Sequence, residues 1–346
     1  MITEVELEIS SDCNAACPGC PRTQHIELVK PTNLTLEQIQ TWFPNPKDIQ
    51  FKFCGVLGDP IVNPQCMEIT KYLVDNDAYV AYSTNGGRNN VDWWSELGAT
   101  SKRLGGDKLK VHFCVDGTES NYIYRVNTSY KVIKRNMQAY SDAGGKANWI
   151  FIVFDHNEHE IEEAKQLANQ LGFRFATRTG MRNSLNDWVA KIKKKDNTKN
   201  KIVTEQKLIT TTGSKSHSKV AVVKKLDEFI QDKHKSQEQI KQIVDSINCK
   251  FYHGNEIFIG ADSTLWPCCF LYDSDFHNRH GIKEKYSVYP KDWNNLNMHT
   301  IDQILSTDYY KHALRDSWDP QHNLHISRCI RTCAKNRAYQ NEIKYS

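Results

Sequence analysis

Strand-like and helix-like stretches alternate along the first half of this chain, and that alternation limits the fold more than any other feature. "EVELEI" (4–9) alternates polar and apolar residues, as a half-buried strand does. "DIQFKFCG" (48–55), "AYVAYSTNGG" (78–87), "KLKVHFCVDG" (108–117), "ANWIFIVFD" (147–155) and "FRFAT" (173–177) follow as further strands. Helical patterns lie between most of them. "TLEQIQTWF" begins at Thr35, with Gln38 at capping-box spacing. "PQCMEITKYLVDN" (64–76), "SYKVIKRNMQAYSDAG" (129–144), which closes at glycine, and the amphipathic "EHEIEEAKQLANQLG" (158–172) complete the set. About six βα units predict an α/β protein with parallel strands and helical crossovers. Periodicity alone fits an incomplete barrel and an open doubly wound sheet equally. Either fold puts its chemistry at the C-terminal ends of the strands.

Polar loops stand at those ends: "SDCNAACPGC", "GVLGDP", "STNGG", "VDGTES", "FDHNEHE" and "TRTG". The first carries Cys13, Cys17 and Cys20 in C-x3-C-x2-C spacing. A disulfide framework is a poor reading of them. The chain shows no apolar segment with a small-residue cleavage site at its start and no apolar run of about eighteen residues, so a cytoplasmic protein with no membrane partner is expected. Its eleven cysteines are an odd number, and in a reducing compartment they point to metal or catalysis. A tetrahedral zinc site wants four ligands, and His25 is available as a fourth. A four-iron cubane held by three cysteines leaves one iron without a protein ligand, open to a substrate or cofactor.

The rhythm breaks over 183–248. "KIKKKDNTKNK" and "TTTGSKSHSK" read as an exposed insertion or linker, followed by helical spacing toward residue 247. Residues 191–250 hold fifteen lysines and no arginine against seven Asp or Glu, a net of +8, although the whole chain carries only +4. A solvated face accounts for such a run, and a phosphate-binding surface is the sharper alternative. Cysteines return in "CKFYHGNEIFIGADSTLWPCCF" (249–270) and "CIRTC" (329–333). "EIFIGADSTLWP" reads as a β-hairpin turning at Asp262–Ser263, and "TIDQILSTDYYKHALRDSW" (300–318) as a helix. Cys54, Cys66 and Cys114 fall in strand or helix patterns and are expected in the core.

The cysteine loop after the first strand resembles the cluster motif of the radical S-adenosylmethionine superfamily. Further segments match the family in order over about residues 3–178: "FKFCGVLGDPIVNP", with Gly58-Asp59-Pro60 where the family has Gly-Glu-Pro; "YSTNGG"; "VHFCVDGTESNYIYR"; and "FDHNEHEIEEAKQLANQLG", similar to the N-x-x-E-I helix start. The resemblance implies a partial (β/α)6 TIM-like barrel over residues 1–182. It implies that Cys13, Cys17 and Cys20 ligate a [4Fe–4S] cluster whose open iron is chelated by S-adenosylmethionine. Gly58 and Asp59 would then lie along the amino group of that cofactor, Asp116 by the ribose and Arg125 by the carboxylate, with Asn85 facing the same pocket. It also implies reductive cleavage to a 5′-deoxyadenosyl radical that abstracts a hydrogen from substrate. Two positions depart from the family pattern: Gly19 stands where an aromatic usually precedes the third cysteine, and Asp59 is one methylene shorter than glutamate.

Cys249, Cys268, Cys329 and Cys333 resemble the ligands of the auxiliary-cluster domain called SPASM or twitch. That implies a small C-terminal α+β Fe–S domain over 249–346, separated from the barrel by the basic insertion at 183–248. Four thiolates close a second, auxiliary [4Fe–4S] cluster or a zinc site, and spacing does not separate the two. Nor does it choose between Cys268 and its neighbour Cys269. The closing C-x3-C departs from the commoner C-x2-C. Together these resemblances imply a radical S-adenosylmethionine oxidoreductase or maturase acting on a peptide or protein. Its external one-electron reductant would be a flavodoxin or ferredoxin. The alternatives are a small-molecule or nucleotide-modifying enzyme resembling the molybdenum-cofactor cyclase, an RNA-modifying enzyme suggested by the lysine-rich insertion, and a non-catalytic Fe–S protein.

Overall fold

The structure, a computed structural model, describes residues 2–178, 187–196, 201–210, 236–276, 278, 282–334 and 343–345. Six strands, β1 (Glu4–Leu7), β2 (Gln50–Phe53), β3 (Tyr79–Thr84), β4 (Leu109–Cys114), β5 (Ala147–Ile152) and β6 (Arg174–Arg178), lie side by side in chain order. Each runs parallel to the next. An order without reversal is that of a barrel wall; a doubly wound sheet turns back at a switch point. The fold is a partial (β/α)6 barrel.

Side-chain parity explains why the sheet forms. Val5, Leu7, Phe51, Phe53, Val80, Tyr82, Val111, Phe113, Trp149, Phe151 and Phe175 occupy alternate positions of their strands and are buried. They join one core with Ile69, Leu73, Trp94, Leu97, Ile133, Met137, Ala164 and Ala168 of the covering helices. Each large side chain so buried stabilises the fold by roughly 1.5–3 kcal/mol before chain entropy is counted. The other parity gives Glu6, Lys52, Cys54, Ser83, His112, Cys114 and Arg178, which line the inner face instead. Cys66 is in the core as expected, but Cys54 and Cys114 are not: they share the inward parity of Lys52 and His112.

The covering helices agree with the sequence at 35–42, where the Thr35–Gln38 capping box is formed. They also include one that the pattern did not reveal. Val91–Arg103 is a thirteen-residue helix whose first turn is capped by the Asn90 side chain, accepting from the Trp93 N–H at 3.0 Å. The basic stretch differs from a plain linker. β7 (Asp187–Asp196) and β8 (Lys201–Thr210) pair antiparallel as a separate two-stranded ribbon. Residues 211–235, the rest of that stretch up to the Gln237–Ser246 helix, lie outside the described residues apart from their sequence.

The C-terminal segment completes the barrel sheet. β9 (Glu256–Ile259) adds parallel to β1, and β10 (Leu265–Trp266) returns antiparallel to β9, the hairpin that the sequence predicts. β11 (Ile343–Tyr345) pairs antiparallel with β6 at the opposite edge. Strands from the C-terminal segment thus cover both free edges of the barrel wall, which otherwise present unpaired backbone groups. The predicted helix at 300–318 is broken instead. A capped turn, Ile301–Leu305, gives way at Ser306–Asp308 to a π-turn at Tyr309–Ala313 and a last turn at Leu314–Asp316. The break turns Tyr309 into an aromatic cluster with Tyr286, Trp293 and Tyr310, and the Tyr286 and Tyr309 hydroxyls meet at 2.9 Å.

Candidate functional site

The cysteine loop leaves the end of β1 and is tied down by its own backbone. Asp12 accepts from the Cys13 N–H at 2.8 Å, and the Asp12 carbonyl accepts from the Asp59 N–H at 2.8 Å. The Ala16 N–H donates to the Val126 carbonyl at 2.9 Å, and buried Arg22 donates to the Ala15 carbonyl. These bonds turn Cys13, Cys17 and Cys20 onto the wall of one cavity of about 390 Å³. Gly58, Asp59, Asn85 and Arg125, from the loops after β2, β3 and β4, line the same cavity.

Gly58 is obligatory by close approach. A Cβ there would overlap the Ser10 carbonyl oxygen. Asp59 is spent on structure: its Oδ2 accepts from both the backbone N–H and the side-chain amide of Asn85 at 2.8 Å, and its Oδ1 from the Ile61 N–H at 3.3 Å. Burial pushes the Asp59 carboxyl up, opposed by those N–H bonds. The Asn85 amide also reaches Cys13 Sγ at 3.5 Å. Asp116 is placed differently from the rest. It is wholly buried, does not line the cavity, and sits behind Arg125, whose Nε lies 2.8 Å from its Oδ2. That pair is too bent for an ordinary hydrogen bond, but the Coulomb attraction at this distance does not require linearity. Asp116 Oδ1 accepts instead from the Ile152 N–H at 2.8 Å, so Asp116 anchors the arginine that faces the cavity.

Two acidic residues hold the loops in place. Glu8, on the inward parity of β1, accepts from the Leu57 N–H at 2.6 Å and the Gly58 N–H at 3.2 Å. Burial pushes its carboxyl up to about 7, and Asp262 adds to the shift. Glu160 accepts from the backbone N–H groups of Thr118, Glu119 and Ser120 and so fixes the loop after β4. Its motif partner Asn157 spans the Asp116 and Ile152 carbonyls at 2.8 and 2.9 Å. The sequence offered a signal for Glu160, in N-x-x-E-I. For Glu8 the only sign is an acid continuing the inward parity of Glu4 and Glu6.

A second cavity of about 680 Å³ adjoins the first, and Cys249, Cys268, Cys269, Cys329 and Cys333 lie on its wall. The two cavities share Cys54, Ser83, Cys114, Ile150 and Arg178. Burial pushes the Cys268 thiol up to about 12, with Cys249 and Cys333 adding to it, and raises Cys329 for the same reasons, with Cys268, Cys249 and Cys333 near it. Cys269 keeps different company, namely Glu6, Cys268 and Cys54. No disulfide forms among the described residues, which include all eleven cysteines. Among those residues no three His, Cys, Asp or Glu side chains are gathered closely enough for a single metal ion. The donor chemistry does fit iron–sulfur groups: Cys13, Cys17 and Cys20 stand together in one loop on the first cavity, and on the second Cys268 and Cys329 are each influenced by Cys249 and Cys333. No helix among the described residues is long and apolar enough to cross a membrane.

Residues 7–168 match the family described as the Radical SAM superfamily. Over 169 residues the chain is 26% identical to the mycofactocin maturase MftC of Mycobacterium ulcerans (strain Agy99). That similarity covers 48% of this chain and 44% of the relative, so the match spans less than half the length of the curated protein. Among solved structures, SuiB of Streptococcus suis bound to precursor peptide SuiA is 11% identical, with a TM-score of 0.48 over 78% of this chain and 60% of that one. Hexahistidine-tagged anSMEcpe with bound AdoMet is 14% identical, with a TM-score of 0.48 over 96% of this chain and 88% of that one.

Proposed function

Residues 7–168 are a radical S-adenosylmethionine domain, and from that premise we propose that the chain is a maturase that modifies a peptide or protein by hydrogen abstraction. The observation that carries the reading is the convergence of Cys13, Cys17 and Cys20 on one cavity with Gly58, Asp59, Asn85 and Arg125. The three thiolates would hold a [4Fe–4S] cluster with S-adenosylmethionine beside it; when bound, that pair supplies one-electron cleavage of the sulfonium and hence a primary carbon radical.

The chain's own residues do the positioning. Gly58 lets backbone approach where any side chain would block it, and Asp59 locks Asn85 against Cys13. Asp116 fixes Arg125 as a cation facing the cavity, suited to a carboxylate. In the same reading Cys249, Cys268, Cys329 and Cys333 hold an auxiliary [4Fe–4S] cluster in the segment 249–346, beyond the basic stretch 183–248 and the barrel domain 1–182. Cys268 is preferred over Cys269 because its thiol is the one influenced by Cys249 and Cys333. The mycofactocin maturase relative supports a maturation reaction. A cytoplasmic location and a flavodoxin or ferredoxin as electron donor belong to this proposal.

The test is anaerobic reconstitution with iron and sulfide, followed by an assay for 5′-deoxyadenosine under a strong reductant. The wild type is expected to form it, and Cys13→Ala, Cys17→Ala and Cys20→Ala each to abolish it while leaving far-UV circular dichroism intact, because the motif lies in a loop. A triple alanine variant that forms 5′-deoxyadenosine at the wild-type rate would refute the assignment.

A further inference from the structure

Cations on the walls of the two cavities are almost all accounted for by neighbours. Arg125 pairs with Asp116, Lys52 with Glu4, Lys250 with Glu256 at 2.6 Å, and Arg328 with Asp273 at 3.8 Å. Arg22 donates to a backbone carbonyl. Arg178 is the exception: its Nε is buried without an acceptor, as are those of Arg22, Arg125 and Arg328, but unlike theirs its guanidinium has neither a carboxylate nor a carbonyl partner among the described residues. A part-buried guanidinium lacking a counter-ion is the side chain best shaped to grip a planar carboxylate by two parallel N–H bonds.

The position of Arg178 says what it faces. It closes β6 and lines both cavities at their shared wall, unlike Arg22 and Arg125, which line only the first. Two neutral donors line the second cavity with Arg178. Ser83 and His112 are register partners across β3 and β4, and both line the second cavity. The Asn148 amide donates to His112 Nδ1 at 3.2 Å, so a neutral ring carries its proton on Nε2 as a donor. Burial and the cationic Arg178 push the His112 imidazole down to about 4, which keeps the ring neutral. Such a group of donors, with one charge and no acceptor charge, suits a single anion of carboxylate shape.

We propose that Arg178, with His112 and Ser83, is the subsite that binds a carboxylate of the substrate where the two cavities meet. This deepens the maturase reading and rests on it only in taking the first cavity for the cofactor. The carboxylate is that of an acidic side chain or of a peptide C-terminus.

The probe is a set of short random N-acetylated peptides, made with a free or an amidated C-terminus and with or without Asp and Glu. They are captured by the holoenzyme in the presence of S-adenosylmethionine and quantified by mass spectrometry. Wild type is expected to retain carboxylate-bearing peptides about tenfold or more over their neutral counterparts, and Arg178→Met to lose that preference. Selection that survives amidation and vanishes without Asp and Glu assigns a side chain; the converse assigns the C-terminus. Should Arg178→Met fold poorly, His112→Leu is read instead and is expected to weaken the same preference. Equal retention of charged and neutral peptides by the wild type overturns the proposal. So does an unchanged preference in the variants, or a drop of tenfold or so in S-adenosylmethionine affinity in Arg178→Met, which would give the guanidinium to the cofactor. Failure of the maturase reading shows separately, as absent 5′-deoxyadenosine in the wild type whatever the peptides do.

Discussion

Glu8 shows how a single residue depends on the closure of the sheet. Unfolded, its carboxyl titrates near 4.5; folded, it is pushed up to about 7 by burial, with Asp262 adding to the shift against the Leu57 and Gly58 N–H bonds. Between those values the native chain keeps a proton that the unfolded chain has released, so stability falls as pH rises through the window and levels off on either side. Glu8→Gln keeps an acceptor for the Leu57 N–H but cannot ionise. In urea unfolding of the reduced, metal-free chain, the variant is expected to gain on wild type as pH rises from about 5 to about 8, by at most about 3 kcal/mol, with little difference below pH ~4.5. A difference that stays constant with pH would mean Glu8 is not the group responsible. The sequence marked Cys13, Cys17 and Cys20 by their spacing, which needs no fold to be seen. It did not mark Glu8, Cys54 or Cys114, because strand parity tells which residues share a face, and only curvature tells that this face is an enclosed interior rather than solvent or core.

Among the elements, the Val91–Arg103 helix escaped the sequence pattern for a reason its packing supplies. Gly98 sits at its centre, and glycine there costs an isolated helix roughly 1 kcal/mol relative to alanine. In the fold, a Cβ at Gly98 would overlap the Tyr140 carbonyl of the Tyr130–Asp142 helix and press on Ala143 at 2.9 Å. The glycine is therefore what lets two helices cross at backbone contact, a tertiary demand that propensity does not register. Gly98→Ala is expected to destabilise by about 2 kcal/mol in thermal or urea unfolding, against the sign that helix propensity predicts. A stabilised variant would show that the helices separate easily and that the close crossing contributes little. The β7–β8 ribbon and the broken helix at 300–318 have the same lesson. Lysine-rich "KIKKKD" reads as a linker until its partner strand is in register, and the turn at Tyr309 is set by the aromatic side chains it must reach. The parallel strands, by contrast, were legible because one face of each is a run of large apolar residues at period two.

At the scale of the molecule, the two ends of the chain meet in one sheet. β9 lies against β1, so the cysteines after β1 and those around β10 face cavities with a common wall, though they are roughly 230 residues or more apart in sequence. The common wall is built by β2, β3, β4, β5 and β6 through Cys54, Ser83, Cys114, Ile150 and Arg178, and no proposed ligand belongs to it. Losing a thiol from one cavity should therefore leave the other group of thiols in place. Two cubanes amount to about eight irons per chain. Cys268→Ala is expected to bring that to about four and to leave the electron paramagnetic resonance signal of the cluster at Cys13, Cys17 and Cys20 still responsive to S-adenosylmethionine. Cys269→Ala, whose thiol is influenced by Glu6, Cys268 and Cys54 but not by Cys249 or Cys333, is expected to keep all the iron. Iron lost by the Cys269 variant and kept by the Cys268 variant would reverse the ligand assignment. A wild type with about four irons and one zinc would make the C-terminal cysteines a zinc site, and the wall between the cavities would then separate a redox centre from a purely structural one.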